Sequence, residues 1–192
     1  MGNNANLLVG TGAGGSDGLG LAWFADFGAT APTDAGTALN AAFKDTGLIS
    51  EEGLSLALSE TVKKIKAYGS LLAQRSVVTD QDTTWKTKFL ESNQYSLAVF
   101  HRKAISGGIS PGAGTGAFSV TTGSYTERFY AAVFEIVDGS NKIRAYCPRL
   151  SVTNRDDLQV GNGNEISYGV ELTAYQVSGV AIYWYYVVPS LG

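Results

Sequence analysis

The chain has 192 residues, of which 44% are hydrophobic and only 16% charged, and a net charge of −3. This predicts one core-forming domain with extensions and excludes the global basic excess used to grip nucleic acid. Charged residues fall well short of the usual quarter or so, a pattern expected where partners cover part of the surface.

The single cysteine, Cys147, excludes an internal disulfide framework and suits assembly inside a cell. The opening MGNNANLLVG lacks the cationic start and long apolar run of a signal peptide, and its sixth position lacks the Ser or Thr of a myristoylation signal. No apolar run is long enough to span a bilayer, so no membrane partner is expected.

Residues 1–36 read as a flexible N-terminal arm, and residues 37–192 as a single β domain. Nine of the 24 glycines fall in the arm. It carries Asp17, Asp26 and Asp34 but no Lys or Arg, the first being Lys44. Glycine-dense chain loses much entropy on ordering, so such an arm is expected to become fixed only against a partner.

Two catalytic look-alikes sit in the arm. Gly10, Gly12 and Gly15 satisfy G-x-G-x-x-G. A dinucleotide site also needs a helix opening there and a following parallel strand. Gly18 and Gly20 oppose that helix, and no βαβ pattern follows. Residues 14–18 match G-x-S-x-G around Ser16, but a nucleophile needs a general base. The only histidine, His101, falls at the end of a predicted helix.

Further along, Leu39 and Phe43 at i and i+4, with Gly47 as a stop, predict a short helix or turn over residues 37–46. Leu54, Leu56 and Leu58 alternate with small polar residues, a strand period. The strand continues over residues 61–68, with a bulge expected at Lys63-Lys64. Residues 74–79 and 83–90 read as paired strands around an acidic turn, Asp80-Gln81-Asp82. In the second, Trp85, Thr87 and Phe89 share one face, and Lys86 and Lys88 the other. Residues 92–103 are the best helix, capped by Ser92 or Asn93, with Arg102 and Lys103 at its negative end.

Residues 106–116, SGGISPGAGTG, form a long loop of a kind usually functional or partner-bound. Residues 127–137 and 142–153 flank Asp138-Gly139-Ser140-Asn141, a hairpin signal. Residues 165–175 alternate cleanly. Residues 179–188 are apolar on both faces, as in a strand deep in a stack or one covered by another subunit. The sum is mainly β: a β-sandwich or barrel with one flanking α-helix, an extended N-terminal arm and long loops.

No catalytic, cofactor-binding or metal-binding residue is expected, and the chain is not expected to be an enzyme. One Cys and one His make no zinc site. Asp80/Asp82 and Asp156/Asp157 read as turn residues rather than cation ligands. Cys147 reads as a small buried hydrophobe. Lys63, Lys64, Lys66 and Tyr68 read as a solvated or inter-subunit face, and residues 183–186 as core or interface.

One ordered set of segments resembles a known family. It begins with residues 22–27, the turn Gly28-Ala29-Thr30-Ala31-Pro32-Thr33-Asp34, and residues 39–43. Gly47-Leu48-Ile49-Ser50-Glu51-Glu52-Gly53-Leu54 follows. Then come residues 85–90 leading into Glu91-Ser92-Asn93, residues 144–153 with Pro148 and Arg149, and Leu172-Thr173-Ala174-Tyr175. Together, over roughly residues 18–188, these are similar to the major tail (tail tube) proteins of long-tailed bacteriophages.

The resemblance implies a β-sandwich whose copies close into hexameric rings that stack into a tube, a virion conduit for DNA ejection. Assembly would take place in the host cytoplasm. Implied partners are further copies of the chain, the tape-measure protein, and tail terminator and tail tip proteins. Duplex DNA would pass through the lumen without specific binding. The arm (residues 1–36), residues 71–82 and residues 106–116 are then expected to make contacts between rings, and deleting residues 1–20 to abolish tubes while sparing the fold. The alternative reading is a capsid decoration or adhesin-like β-domain that binds a surface ligand.

Overall fold

The computed structural model describes residues 21–109, 116–124, 126–163 and 165–188. The look-alike motifs at residues 10–18, most of the arm, and residues 110–115 of the long loop lie outside them. Within the described residues the chain forms β1 (Ala22–Asp26), β2 (Lys44–Asp45), β3 (Ser55–Lys66), β4 (Ala73–Phe89), α1 (Gln94–Phe100), β5 (Phe129–Asp138), β6 (Asn141–Arg155), β7 (Tyr168–Ala174) and β8 (Tyr183–Val187).

All strand pairings are antiparallel, in the order β2-β1-β5-β6-β7-β4-β3, with β8 also on β6. The fold is mainly β, consistent with the expected sandwich. The sheet branches because β6, paired along its length with β5, serves two further partners. Its residues 142–146 pair with β8, and its residues 150–155 with β7. Between them the ladder with β5 is irregular, Tyr130 facing Leu150 and Ala132 facing Cys147. Pro148, with no N–H to donate, falls in that irregularity, where a strand tolerates it and bends. The bend folds β4 over β1 and β5. Trp85 of β4 meets Phe134 of β5 at 4.4 Å, and Phe24 of β1 meets Phe89 of β4 edge-on at 6.0 Å.

The core between these layers holds Phe24, Trp85, Phe89, Tyr130, Phe134, Cys147, Leu150 and Leu172, with α1 closing one side through Leu97, Val99 and Phe100. Burial pushes the Cys147 thiol up to about 12, leaving it the inert hydrophobe its sequence context suggests. The Tyr130 hydroxyl is likewise shifted upward by burial and donates to the Lys103 carbonyl at 2.8 Å.

Helix α1 is capped at its start by Asn93, whose Oδ1 accepts from the N–H groups of Tyr95 and Ser96 at 2.9 Å each. The Ser96 hydroxyl reciprocates by accepting from the Asn93 N–H, a capping box. His101 is the C-cap. Its pKa is lowered by burial first, then by Arg155 and Lys103.

Four local expectations are corrected or narrowed. The stretch read as arm includes β1, whose Ala22, Phe24 and Ala25 are fully buried. Their small and aromatic side chains fill the centre of the sheet, which flanking glycines had masked. Over residues 37–46 the turn alternative holds, at residues 40–43, where the Phe43 N–H donates to the Asn40 carbonyl at 2.9 Å, and no helix forms. Asp34 and Asn40 accept the nearby backbone N–H groups of Gly36, Thr37 and Ala42 that a helix would have used. Asp80-Gln81-Asp82 is not a turn but lies within β4, paired with Thr61, Glu60 and Ser59. The chain reverses instead over residues 67–72, where Gly69 adopts φ +77° and the Ser70 N–H donates to the Ala67 carbonyl. The last strand is short and does not lie deep in a stack, since Trp184 and Tyr186 remain 40% and 60% exposed on the single chain, which leaves cover by another subunit as the alternative.

Candidate functional site

Two regions stand outside the main core. The first is a strap, residues 27–43, lying over the outer face of β1, β5, β6 and β8. Phe43 and Leu39 pack there with Ala25, Ala131, Val133, Tyr146 and Tyr185, and Phe43 meets the Tyr146 ring edge-on at 6.2 Å. A buried charge cluster holds it down. Arg144 on β6, 1% exposed, faces Glu135 on β5 and donates to it through Nε at 2.8 Å. Lys142 Nζ lies 2.8 Å from the other Glu135 oxygen. The remaining guanidinium nitrogens donate to the strap carbonyls of Asp34 and of Thr37, the latter at 3.0 Å.

The strap thereby consumes its own polar groups. The Asp34 carboxylate accepts the Gly36 and Thr37 N–H groups at 2.6 Å each and the Thr37 hydroxyl at 3.1 Å. These bonds, the Thr37 N–H foremost, hold its pKa below the ordinary value. The Pro32-Thr33-Asp34 turn is therefore stapled to its own subunit. Near β2, Asp45 accepts the Gly47 N–H at 2.8 Å, yet burial raises its pKa, with Glu91 and Glu135 adding to the rise.

The second region is the β3–β4 hairpin. β4 pairs with β7 only from Thr84 to Phe89. Beyond Thr84 the two strands run alone. Residues 57–69 and 71–82 are all exposed. Nine residue pairs beyond Thr84, at strand rise, make this projection ~30 Å long. It is apolar where solvent would favour polar side chains: Tyr68, Leu71 and Leu72 at the tip are 108%, 93% and 77% exposed, and Leu58, Val62, Ile65, Val77 and Val78 are also exposed. Bulges at Thr61/Val62 and Ile65/Lys66 twist it. A lone two-stranded ribbon is marginal in water, and a long apolar edge invites pairing with another chain.

Lys63, Lys64, Lys66 and Tyr68, singled out in the sequence, all lie on this projection. The aromatic run at 183–186 lies apart from it on β8, where Tyr183 stacks on Tyr146 at 5.9 Å and Trp184 lies 6.2 Å from Trp85. Of residues 106–116, those described follow α1, and their entry is fixed by Asp26. Its carboxylate accepts the Ile105 and Ser106 N–H groups at 3.1 and 3.0 Å and pairs with Arg128 at 3.3 Å.

Among the described residues no cluster of three or more His, Cys, Asp or Glu could hold a metal, and no helix is long and apolar enough to cross a membrane. The geometry is that of a β-sandwich carrying an exposed, partly apolar two-stranded ribbon. Over residues 1–191 the chain matches the model of the phage tail tube protein family, and it belongs to that family. It is thus a phage tail structural protein and a virion component.

Among solved structures it is similar to a chain described as "Cryo-EM structure of the anti-feeding prophage (AFP) baseplate, 6-fold symmetrised". The two share 11% identity with a TM-score of 0.42, over 85% of this chain and 89% of that one. No curated protein matches the chain by sequence.

Proposed function

We infer that this protein self-assembles, in the host cytoplasm, into hexameric rings that stack into the tail tube, a conduit through which DNA is ejected. Its working surfaces are contacts between copies and involve no catalytic centre or cofactor. Membership of the tail tube family supports the reading, and the β3–β4 projection carries it. A ribbon of that length, exposed on both faces and apolar at its tip, gains stability by lying on a neighbouring subunit. Ring closure and stacking would cover the edges at β3 and β8 that a single copy leaves open.

The tape-measure protein would occupy the lumen during assembly. Tail terminator and tail tip proteins would cap the ends, and the DNA would slide without specific binding. Negative-stain electron microscopy of the purified protein at high concentration tests this. Rings or tubes with a central channel are expected, whereas a persistent monomer or compact trimer would refute it and favour a decoration or adhesin-like domain.

A further inference from the structure

The projecting hairpin is electrically ordered along its length. No acidic residue lies between Glu60 and Asp80, and that distal part carries Lys63, Lys64, Lys66 and Arg75. None of the four has an ion-pair partner among the described residues. Lys63 and Arg75 share one face of the ribbon through the pairs Lys63–Val77 and Ile65–Arg75, while Lys64 and Lys66 lie on the other. Basic charge therefore rings the distal half.

The root and the body behind it carry the opposite sign. Asp80, Asp82, Lys86 and Lys88 alternate along one face of β4. Lys86 pairs with Glu171 at 3.1 Å and Lys88 with Glu52 at 2.8 Å. Asp156 lies over Gly169, the residue paired with Lys88, so closely that a Cβ there would meet its carboxylate. Asp156 and Glu165 both act on Lys88, after the stronger effect of Glu52. Six carboxylates thus face two lysines on one continuous surface.

We propose that the basic distal half of the hairpin docks on this acidic face, around Glu52, Asp82, Asp156, Glu165 and Glu171, of a second copy of the chain. The contact is head-to-tail, joining two different patches of the same molecule. Such heterologous contacts propagate into rings or filaments instead of closing as a dimer. Like charges repel when two hairpins or two acidic faces meet, so charge order also selects direction. The apolar tip favours a protein occupant over nucleic acid, because Tyr68, Leu71 and Leu72 need an apolar cover that a phosphate backbone does not offer. The proposal rests on the reading of the chain as a self-assembling subunit and adds which surface meets which.

The test uses the full chain and two variants: K63E/K64E/K66E on the hairpin and E52K/D82K/E165K on the face. All six positions are exposed, and circular dichroism melts verify folding. Sedimentation velocity at low salt should show wild-type self-association, weakened about tenfold or more as salt shortens the screening length. Each variant alone should lose association to a similar degree. A 1:1 mixture of the two should regain it, since every hairpin then meets a face of opposite charge.

Association by either variant as strong as wild type, or a mixture no better than its components, would overturn the proposal. So would binding of a labelled DNA duplex that K63E/K64E/K66E abolishes while self-association stays intact. Electron microscopy of the same samples separates this failure from that of the tube reading. Tubes that survive charge reversal sink only the proposed contact, whereas salt-sensitive, mixture-rescued oligomers that never form rings or tubes sink only the tube.

Discussion

The strap at residues 27–43 and the β3–β4 projection both leave the main core, and both look irregular or exposed in sequence. They differ in where their unsatisfied groups go. The strap is closed within the chain: Arg144 ties down the Asp34 and Thr37 carbonyls, Asp34 takes up the local N–H groups, and Phe43 is buried. The projection closes only on itself through its ladder, and its apolar side chains and four distal cations remain uncovered. An element that satisfies itself serves the fold, while one that leaves apolar area and charge open is built for something outside the fold.

That contrast is broken most directly at the hairpin tip. Replacing Tyr68, Leu71 and Leu72 together with Ser should abolish rings and tubes by electron microscopy. Folding stability should change by no more than about 0.5 kcal/mol, as for surface substitutions. A melting temperature lowered by many degrees would mean that the tip packs on its own chain after all. The converse variant is R144M, which leaves the buried Glu135 only the more exposed Lys142 as partner and frees two strap carbonyls. It should cost about 3–5 kcal/mol in urea unfolding. Adding E135L should recover much of that loss, because removing both buried partners costs far less than removing one.

Legibility in sequence followed the range of the interactions. Leu54, Leu56 and Leu58, and the Trp85/Thr87/Phe89 alternation, identify strands because a period of two is local. Asn93 identifies the helix start because its cap bonds reach only Tyr95 and Ser96. The strap latch was missed, although a signal existed. The hairpin about Gly139 sets Asp138 against Asn141, so by register Glu135 must face Arg144, and two opposite charges on strands buried on both sides call for a pair. The length of β4 was not legible. Asp80-Gln81-Asp82 has turn composition, and only its pairing with Ser59, Glu60 and Thr61, about 20 residues earlier, keeps it extended. The projection owes its isolation to β7 stopping at Ala174, a property of tertiary packing with no local signature.

The helix cap is a smaller test of self-satisfaction in the body. N93A removes the acceptor for two N–H groups and the donor to the Thr46 carbonyl at 3.0 Å. A loss of about 1–2 kcal/mol is expected, read by denaturant unfolding and confined to the folded domain. Tube assembly by the surviving folded fraction should be unchanged. A cap variant that blocked assembly at full folding would tie α1 to the contact surface.

Asp45 offers the smallest effect and the finest discrimination, because its surroundings beside the strap oppose its charge. Burial, with Glu91 and Glu135 nearby, raises its folded pKa above the 3.8 of the unfolded chain, against the single Gly47 N–H bond. The folded state therefore holds this proton more tightly than the unfolded state does. Its contribution is present at low pH, is lost as pH rises from 3.8 through the raised folded value, and stays lost at neutrality. D45N keeps the carbonyl acceptor for Gly47 and removes the charge. It should stabilise the protein at pH 7 by less than about 1 kcal/mol, since a partly exposed site is screened by solvent, and the gain should vanish below pH 4. Urea titrations of both proteins at pH 7 and pH 3.5 measure the difference. A D45N loss that persists at both pH values would show that the Asp45 carboxylate supports the strap through its hydrogen bond rather than straining it through its charge.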